Sequence, residues 1–278
     1  MSLNNVITIP LTIDKTRALV QASASFGGPH VVLWEYVVNG LSYQTKGNTP
    51  TVEVKIQKDS IEIVDNGRGM DKDDLVNFFK GYAENRDRIE GNYVYIQRGY
   101  FGTGGFAIFK IADHLKITSV KNNKIYEGEI AKKDIANDKG FSLTRNGDKT
   151  EIPNGTKFIA TGLKKEFTKK IISDAKEYIQ KQMMNVKGAQ VFINDDLLEY
   201  KEPPIENEFT KIVNSEDTEY YENLKKYGFG AGKIKLTLKK TKKPLPKGEY
   251  GVSVLGDGNL LEVCSPGIET KKYCNHII

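Results

Sequence analysis

Four short segments of this chain carry residue types suited to phosphate and base chemistry. In HVVLWEYVVNGLSYQ, Glu35 and Asn39 stand four residues apart, which puts both on one face of a helix. An amide oxygen can ligate a hard cation such as magnesium, which takes its ligands from oxygen and from substrate phosphates. A carboxylate beside it can orient and deprotonate a water. Alone, such a pair is more often a solvated helix face. The second segment, DNGRGM, runs from Asp65 to Met70 directly after SIEIV. A strand-end carboxylate can accept a hydrogen bond from the exocyclic amine of adenine, where guanine offers a carbonyl. Gly67 and Gly69 let the main chain turn sharply against a flat base, and Met70 is a soft contact for its ring. Alone, Asp-Asn-Gly is ordinary turn chemistry.

The third segment, RGYFGTGGFAIF, places Gly99, Gly102, Thr103, Gly104 and Gly105 just before a helix expected to begin near Phe106. Free N–H groups at a helix start, helped by the helix dipole, bind phosphate. No Gly-Lys-Ser/Thr follows, so this is not a P-loop. No strand leads directly into it and no ribose-binding acid follows, so it is not a dinucleotide fingerprint. Its bland reading is a flexible loop. The fourth is Asn154-Gly155-Thr156 at the head of a strand, where the Thr156 hydroxyl could reach a base-bound water or Asp65. Arg98 and Lys110 flank the glycine segment and suit phosphate equally well as ordinary surface charges.

The elements that must hold these groups follow from pattern. Residues 6–13 alternate as a short strand, at an edge because Pro10 cannot donate to a ladder. Pro29 opens a helix over 29–44, with Val32, Leu33, Tyr36, Val37 and Leu41 at helical spacing. Residues 51–57 and 60–64 read as antiparallel strands. Asp71 caps the next helix, with Asp74 as its capping-box partner. Residues 83–101 are polar and aromatic without period, a length that is usually functional. Strands are expected over 115–120, 124–130 and 155–161, a helix over 168–184, and a strand near VFIND. A linker over 200–205 leads to strands at 233–239, GEYGVSVL and LLEVCS. In the first of these Ile234, Leu236 and Leu238 alternate with lysines, as in a strand with one buried face.

The 278 residues carry a net charge of +5, are 38% hydrophobic and 28% charged, the profile of a globular chain with enough apolar side chains for a core. No apolar run is long enough to span a bilayer and the start lacks a signal-peptide pattern, so a cytoplasmic location and no membrane partner are expected. Two cysteines, Cys264 and Cys274, read as reduced thiols. His30, His114 and His276 have no metal-ligand spacing to them.

Taken together and in this order, the four segments resemble those of the GHKL ATPase superfamily, which includes DNA gyrase B proteins, heat-shock chaperones, histidine kinases and MutL. The match runs through Glu35 with Asn39, Asp65 with Gly67 and Gly69, Gly102 with Gly104 and Gly105, and Gly155 with Thr156, and covers residues 6–195. It implies an α+β fold, a two-layer α/β sandwich (the Bergerat ATP-binding fold) with helices on one face of a mixed sheet. It also implies ATP or ADP with magnesium as ligands, Asn39 as metal ligand, Asp65 as adenine reader, Glu35 as the base that activates water, and phosphates wrapped by Gly102–Gly105. Many family members place Asp three residues after the motif Asn; here that residue is Ser42.

Glu35 in the base position favours a chaperone-, MutL- or MORC-like switch ATPase with slow turnover, lid closure and an ATP-dependent homodimer. KGAQVFINDDLLEYKEPP resembles the exit of such ATPase domains into a transducer domain. The expected organisation is therefore a nucleotide domain over 1–200 and the start of a transducer-like α+β domain over 206–278, cut short within a longer protein. A histidine kinase catalytic domain and a non-hydrolysing ATP-binding module are the alternatives. No client, protein or nucleic acid, is assigned by the residues; the lysines over 233–247 read as a solvated strand face.

Overall fold

The computed structural model describes residues 26–44, 47–79, 104–136, 141–183, 186, 188–214, 216, 222, 226, 233–243, 252–256 and 259–264. The expected strand over 6–13, the segment 83–101, Gly102, Thr103 and Cys274 lie outside them. The chain divides into two compact units, Met1–Glu199 and Tyr200–Ile278.

The first unit is an α+β two-layer structure. Helix α1 (Pro29–Ser42) is followed by strands β1 (Thr51–Ile56) and β2 (Ser60–Asp65), helix α2 (Lys72–Phe78) and a 3-10 helix (Gly104–Lys110). Then come β3 (His114–Lys121), β4 (Lys124–Ala131), α3 (Lys132–Ala136), β5 (Ser142–Lys149), β6 (Gly155–Thr161), α4 (Lys169–Gln182), β7 (Gln190–Ile193) and β8 (Asp196–Leu198). These strands form one mixed sheet in the order β5-β4-β3-β6-β2-β1-β7-β8. Among them β1 and β7 pair in parallel, and the other neighbours are antiparallel.

Period-two alternation decides which side of the sheet is covered. Val54, Ile63, Phe158 and Ile117 lie in register across β1, β2, β6 and β3, and Ile56, Ile61, Ala160 and Leu115 form the next row. All eight are buried. Helix α1 lies on this face, packed against β1, β2, α4 and the 3-10 helix. It is buried nearly all round, including Leu33, Trp34, Tyr36 and Leu41, and each such side chain contributes about 1.5–3 kcal/mol by leaving water. The opposite face is solvated. There Lys157 pairs with Glu62 at 2.6 Å and Lys116 with Glu127 at 2.7 Å.

Local chemistry sets the joints. Asp71 and Asp74 exchange the two hydrogen bonds of a capping box at 3.0 and 3.2 Å, as the sequence predicts. Thr168 caps α4 by accepting from the Ile171 amide, and that helix buries Ala175, Ile179 and Gln182 along one stripe. The β3–β4 connection is Asn122-Asn123, both at positive φ, the turn geometry that two-residue hairpins favour.

Departures from the sequence reading bear on the glycine segment and on the sheet edge. The helix expected from Phe106 is a 3-10 helix that already starts at Gly104. Its carbonyls are taken by side chains: Gly105 accepts from the Tyr36 hydroxyl at 2.9 Å, and Phe109 accepts from Lys132 and Lys164 at 3.1 and 2.5 Å. Strand β5 is polar and sits at the sheet edge beside β4, so it carries no apolar alternation for a reader to find.

In the second unit β9 (Ile205–Asn214) pairs antiparallel with β10 (Lys233–Thr241), and β11 (Val252–Gly256) with β12 (Asn259–Cys264). Of the three apolar residues expected on one face of β10, Leu238 is the one whose side chain is described. Leu238 sits opposite Phe209, and both are more than half exposed. Two lysines of β10 are ion-paired, Lys239 with Glu202 and Lys240 with Glu206.

Candidate functional site

Among the described residues, Glu35, Asn39 and Asp65 lie where α1 crosses the ends of β1 and β2. The crossing is close because residue 40 is glycine: a β-carbon there would fall 2.8 Å from Val52 Cγ2 and 2.9 Å from Asp65 Cβ, tighter than packed atoms allow. Along the middle of this buried helix the half-exposed positions are Val31, Glu35 and Asn39, at successive four-residue steps. Glu35 and Asn39 therefore share one open stripe.

The glycine segment ends at that stripe. A β-carbon on Gly104 would stand 3.5 Å from Glu35 Oε2 and 3.7 Å from Asn39 Nδ2, so the first and third segments meet. The Tyr36 hydroxyl holds the Gly105 carbonyl from beneath, and burial keeps that phenol protonated well above its ordinary range. The Phe106 ring is buried against Phe79, with centroids 5.7 Å apart, so what it turns to a ligand is main chain. Gly99, Gly102, Thr103 and Arg98 lie outside the described residues. Lys110 donates to the Phe26 carbonyl.

Asp65 ends β2 in the row Val52–Asp65–Thr156–Ser119, on the side that α1 covers. It is a carboxylate at a core-facing parity, half-buried. Burial pushes its carboxyl up to about 7, while the main-chain amides of Gly67 and Thr156 pull the other way. The Gly67 amide donates to Oδ1 at 2.9 Å. The turn beyond it needs glycine at Gly69, where φ is +72° and a β-carbon would overlap the Val120 carbonyl at 1.8 Å. Asn66 braces the same turn, accepting from the Thr51 amide at 2.8 Å and donating to the Thr49 carbonyl at 2.9 Å.

Thr156 lies beside Asp65 in the register. Its amide reaches the carboxyl, and its hydroxyl is 3.0 Å from Ser119 Oγ, a partner that the sequence reading did not name. Ser119 is fully buried and also takes the Met70 amide at 2.7 Å. Its signal was present in the chain: Leu115, Ile117 and Ser119 share one parity, and a hydroxyl at the third position interrupts an apolar row.

Beside Met70, Lys121 Nζ bridges Asp71 and Asp74 at 2.7 and 2.5 Å. Partial burial raises the Asp71 carboxyl, but the Lys121 ammonium and the Asp74 amide outweigh it and hold it below the ordinary range. The Arg68 guanidinium lies over the Tyr43 ring, 5.2 Å from its centroid. Ser42, where the resemblance leads one to expect Asp, is buried and donates to the Val38 carbonyl at 2.6 Å. It serves its own helix.

The arrangement sets an acceptor and a glycine turn, at Asp65 to Gly69, at one end of α1, and the Glu35–Asn39 pair beside Gly104 along it. Residues 28–154 match the model of the histidine kinase-, DNA gyrase B- and HSP90-like ATPases. Over 196 residues the chain is 24% identical to the DNA gyrase B protein of Staphylococcus epidermidis, covering 66% of this chain and 29% of that one. Over 91 residues it is 34% identical to the chaperone protein HtpG of Campylobacter jejuni, covering 28% of this chain and 14% of that one. The chain thus spans less than a third of the length of these relatives. Among the described residues no helix is long and apolar enough to cross a membrane. On its fold, its motifs and these matches, the amino-terminal unit of this chain is similar to the GHKL family of histidine kinase-, DNA gyrase B- and HSP90-like ATPases.

Proposed function

We propose that this chain binds ATP with magnesium and hydrolyses it slowly, using the cycle to close the glycine segment over the phosphates and to pair two copies of the chain, in the manner of a chaperone- or MutL-like switch. The observation that carries this reading is the placement of Asp65 at a covered strand end beneath α1, with Glu35 and Asn39 of the same helix beside Gly104.

In this reading the Asp65 carboxylate accepts a hydrogen bond from the amine of adenine, and the ring rests against Gly67, Gly69 and Met70. A donor amine favours the ionised acid, so binding draws off a proton that burial otherwise retains up to about 7. Main-chain amides from Gly99 to Phe106 meet the phosphates. The oxygens of Asn39 and of the phosphates suit magnesium, which demands hard ligands and keeps several waters; the ion would neutralise phosphate charge. Glu35 takes the proton of the attacking water as the bond to the terminal phosphate breaks. Such transfer depends on positioning and charge stabilisation more than on covalent chemistry, and closure steps commonly limit turnover. The residues over 206–278 serve as the start of a transducer that passes closure onward, in a cytoplasmic protein.

The test is Glu35→Ala. Nucleotide affinity should stay within about three-fold while turnover falls by about a hundred-fold or more, the usual contribution of a positioned base. Equal turnover removes Glu35 from the role. Gel filtration with a non-hydrolysable ATP analogue tests the pairing: a dimer is expected, and a monomer with the analogue bound contradicts it.

A further inference from the structure

We propose that Ser119 is a positioning residue that fixes the direction of the Thr156 hydroxyl, so that Thr156 meets a bound base only as a hydrogen-bond acceptor and the site selects a purine carrying an amine over one carrying a carbonyl. This rests on the reading of Asp65 as the acceptor for an amino-purine and adds a second group to it.

The protons around Ser119 can be counted. Its Oγ has three neighbours: the Met70 amide at 2.7 Å, the Gly155 carbonyl at 3.2 Å and Thr156 Oγ1 at 3.0 Å. A hydroxyl has one proton and two lone pairs. The Met70 N–H can only donate, so it occupies one lone pair. The Gly155 carbonyl can only accept, so that contact consumes the Ser119 proton. The contact with Thr156 must then run from the Thr156 proton into the remaining lone pair. This arrangement meets all three contacts with each proton used once. It matters because Ser119 is fully buried and Thr156 is 5% exposed, where an unmade hydrogen bond carries a full desolvation penalty.

Thr156 is left with lone pairs and no proton to give. It stands next to Asp65 across the β2–β6 pairing, and an ionised Asp65 is also acceptor-only. Two adjacent acceptors suit the two N–H bonds of the 6-amine of a purine. A 6-oxo purine would bring a third acceptor to the same place.

The experiment measures the dissociation constants of magnesium ATP and magnesium ITP, which carries a carbonyl for the amine and a proton on N1, with the full chain. Wild type should bind ATP at least about ten-fold more tightly, the value of one such hydrogen bond. In Ser119→Ala the Thr156 proton is released and its hydroxyl can turn to donate. The ITP/ATP ratio of dissociation constants should then fall about three- to ten-fold, the range set by one neutral hydrogen bond. Ser119→Cys keeps the volume with a weak donor and should shift the ratio in the same direction by less; it decides the matter should the alanine variant not fold. A role in folding alone would weaken both nucleotides equally, and an unchanged ratio in the folded variants overturns the proposal. Absence of any ATP preference in wild type overturns both this proposal and the reading of Asp65, whereas a preference that survives unchanged in the variants overturns this proposal alone.

Discussion

Strands β2, β3 and β6 each carry polar side chains on both faces, and the two sets behave differently. On the open face, Lys157 with Glu62 and Lys116 with Glu127 form partly exposed ion pairs in water. On the covered face, Asp65, Thr156 and Ser119 lie in one row beside Val52, continuing the parity of Ile63, Phe158 and Ile117. The first set is what a solvated sheet face holds by default and costs little to change. The second places polar groups where the pattern calls for apolar ones. They are held there by the Gly67 and Thr156 amides and by the bonds around Ser119. Residue type alone does not separate the two sets; position relative to the covering helix does.

Substitutions can break or sharpen this contrast. The largest effect is expected from Ile117→Ala, which empties part of the covered face and should lower the unfolding free energy by about 2–5 kcal/mol in denaturant titration. Next is Asp65→Asn, which puts an amide donor where an acceptor is required. It should weaken ATP by about ten- to a hundred-fold in calorimetric titration, the range for a hydrogen bond to a charged group.

The same variant reports on pH in the absence of nucleotide. The folded chain keeps the Asp65 proton up to about 7, whereas an unfolded chain releases it near the ordinary value of about 4. Wild type should therefore lose stability, relative to Asp65→Asn, as pH rises through that window and no further above it. A difference that is flat with pH would show that Asp65 is not held protonated. The smallest effect is Lys157→Ala on the open face, expected within about 0.5 kcal/mol of wild type. A loss as large as that of Ile117→Ala would erase the contrast between the faces.

Much of the covered face was legible in the chain because alternation, capping and glycine punctuation all pointed the same way. Strand β6 was read over its full length, α1 was placed by Pro29, and the Asp71–Asp74 box was read from spacing alone. The meeting of Glu35, Asn39 and Gly104 was legible only through the resemblance, since nothing in local pattern links residue 35 to residue 104. Ser119 was missed because a single serine in a strand is common, and its meaning depends on Met70 and Gly155, which the fold brings to it. Strand β5 was missed because an edge strand exposed on most of its length needs no apolar period. In β10 the strand was read from alternation, as found, but period alone says which residues share a face, not whether anything covers that face.

The most direct measurement is a crystal structure of this chain with ADP and magnesium bound. The expected result is the adenine amine within hydrogen-bonding distance of the residue 65 carboxylate, with the phosphates directed toward Asn39 and Gly104. A base bound away from Asp65, or a chain that takes up no nucleotide at millimolar concentration, would contradict the assignment.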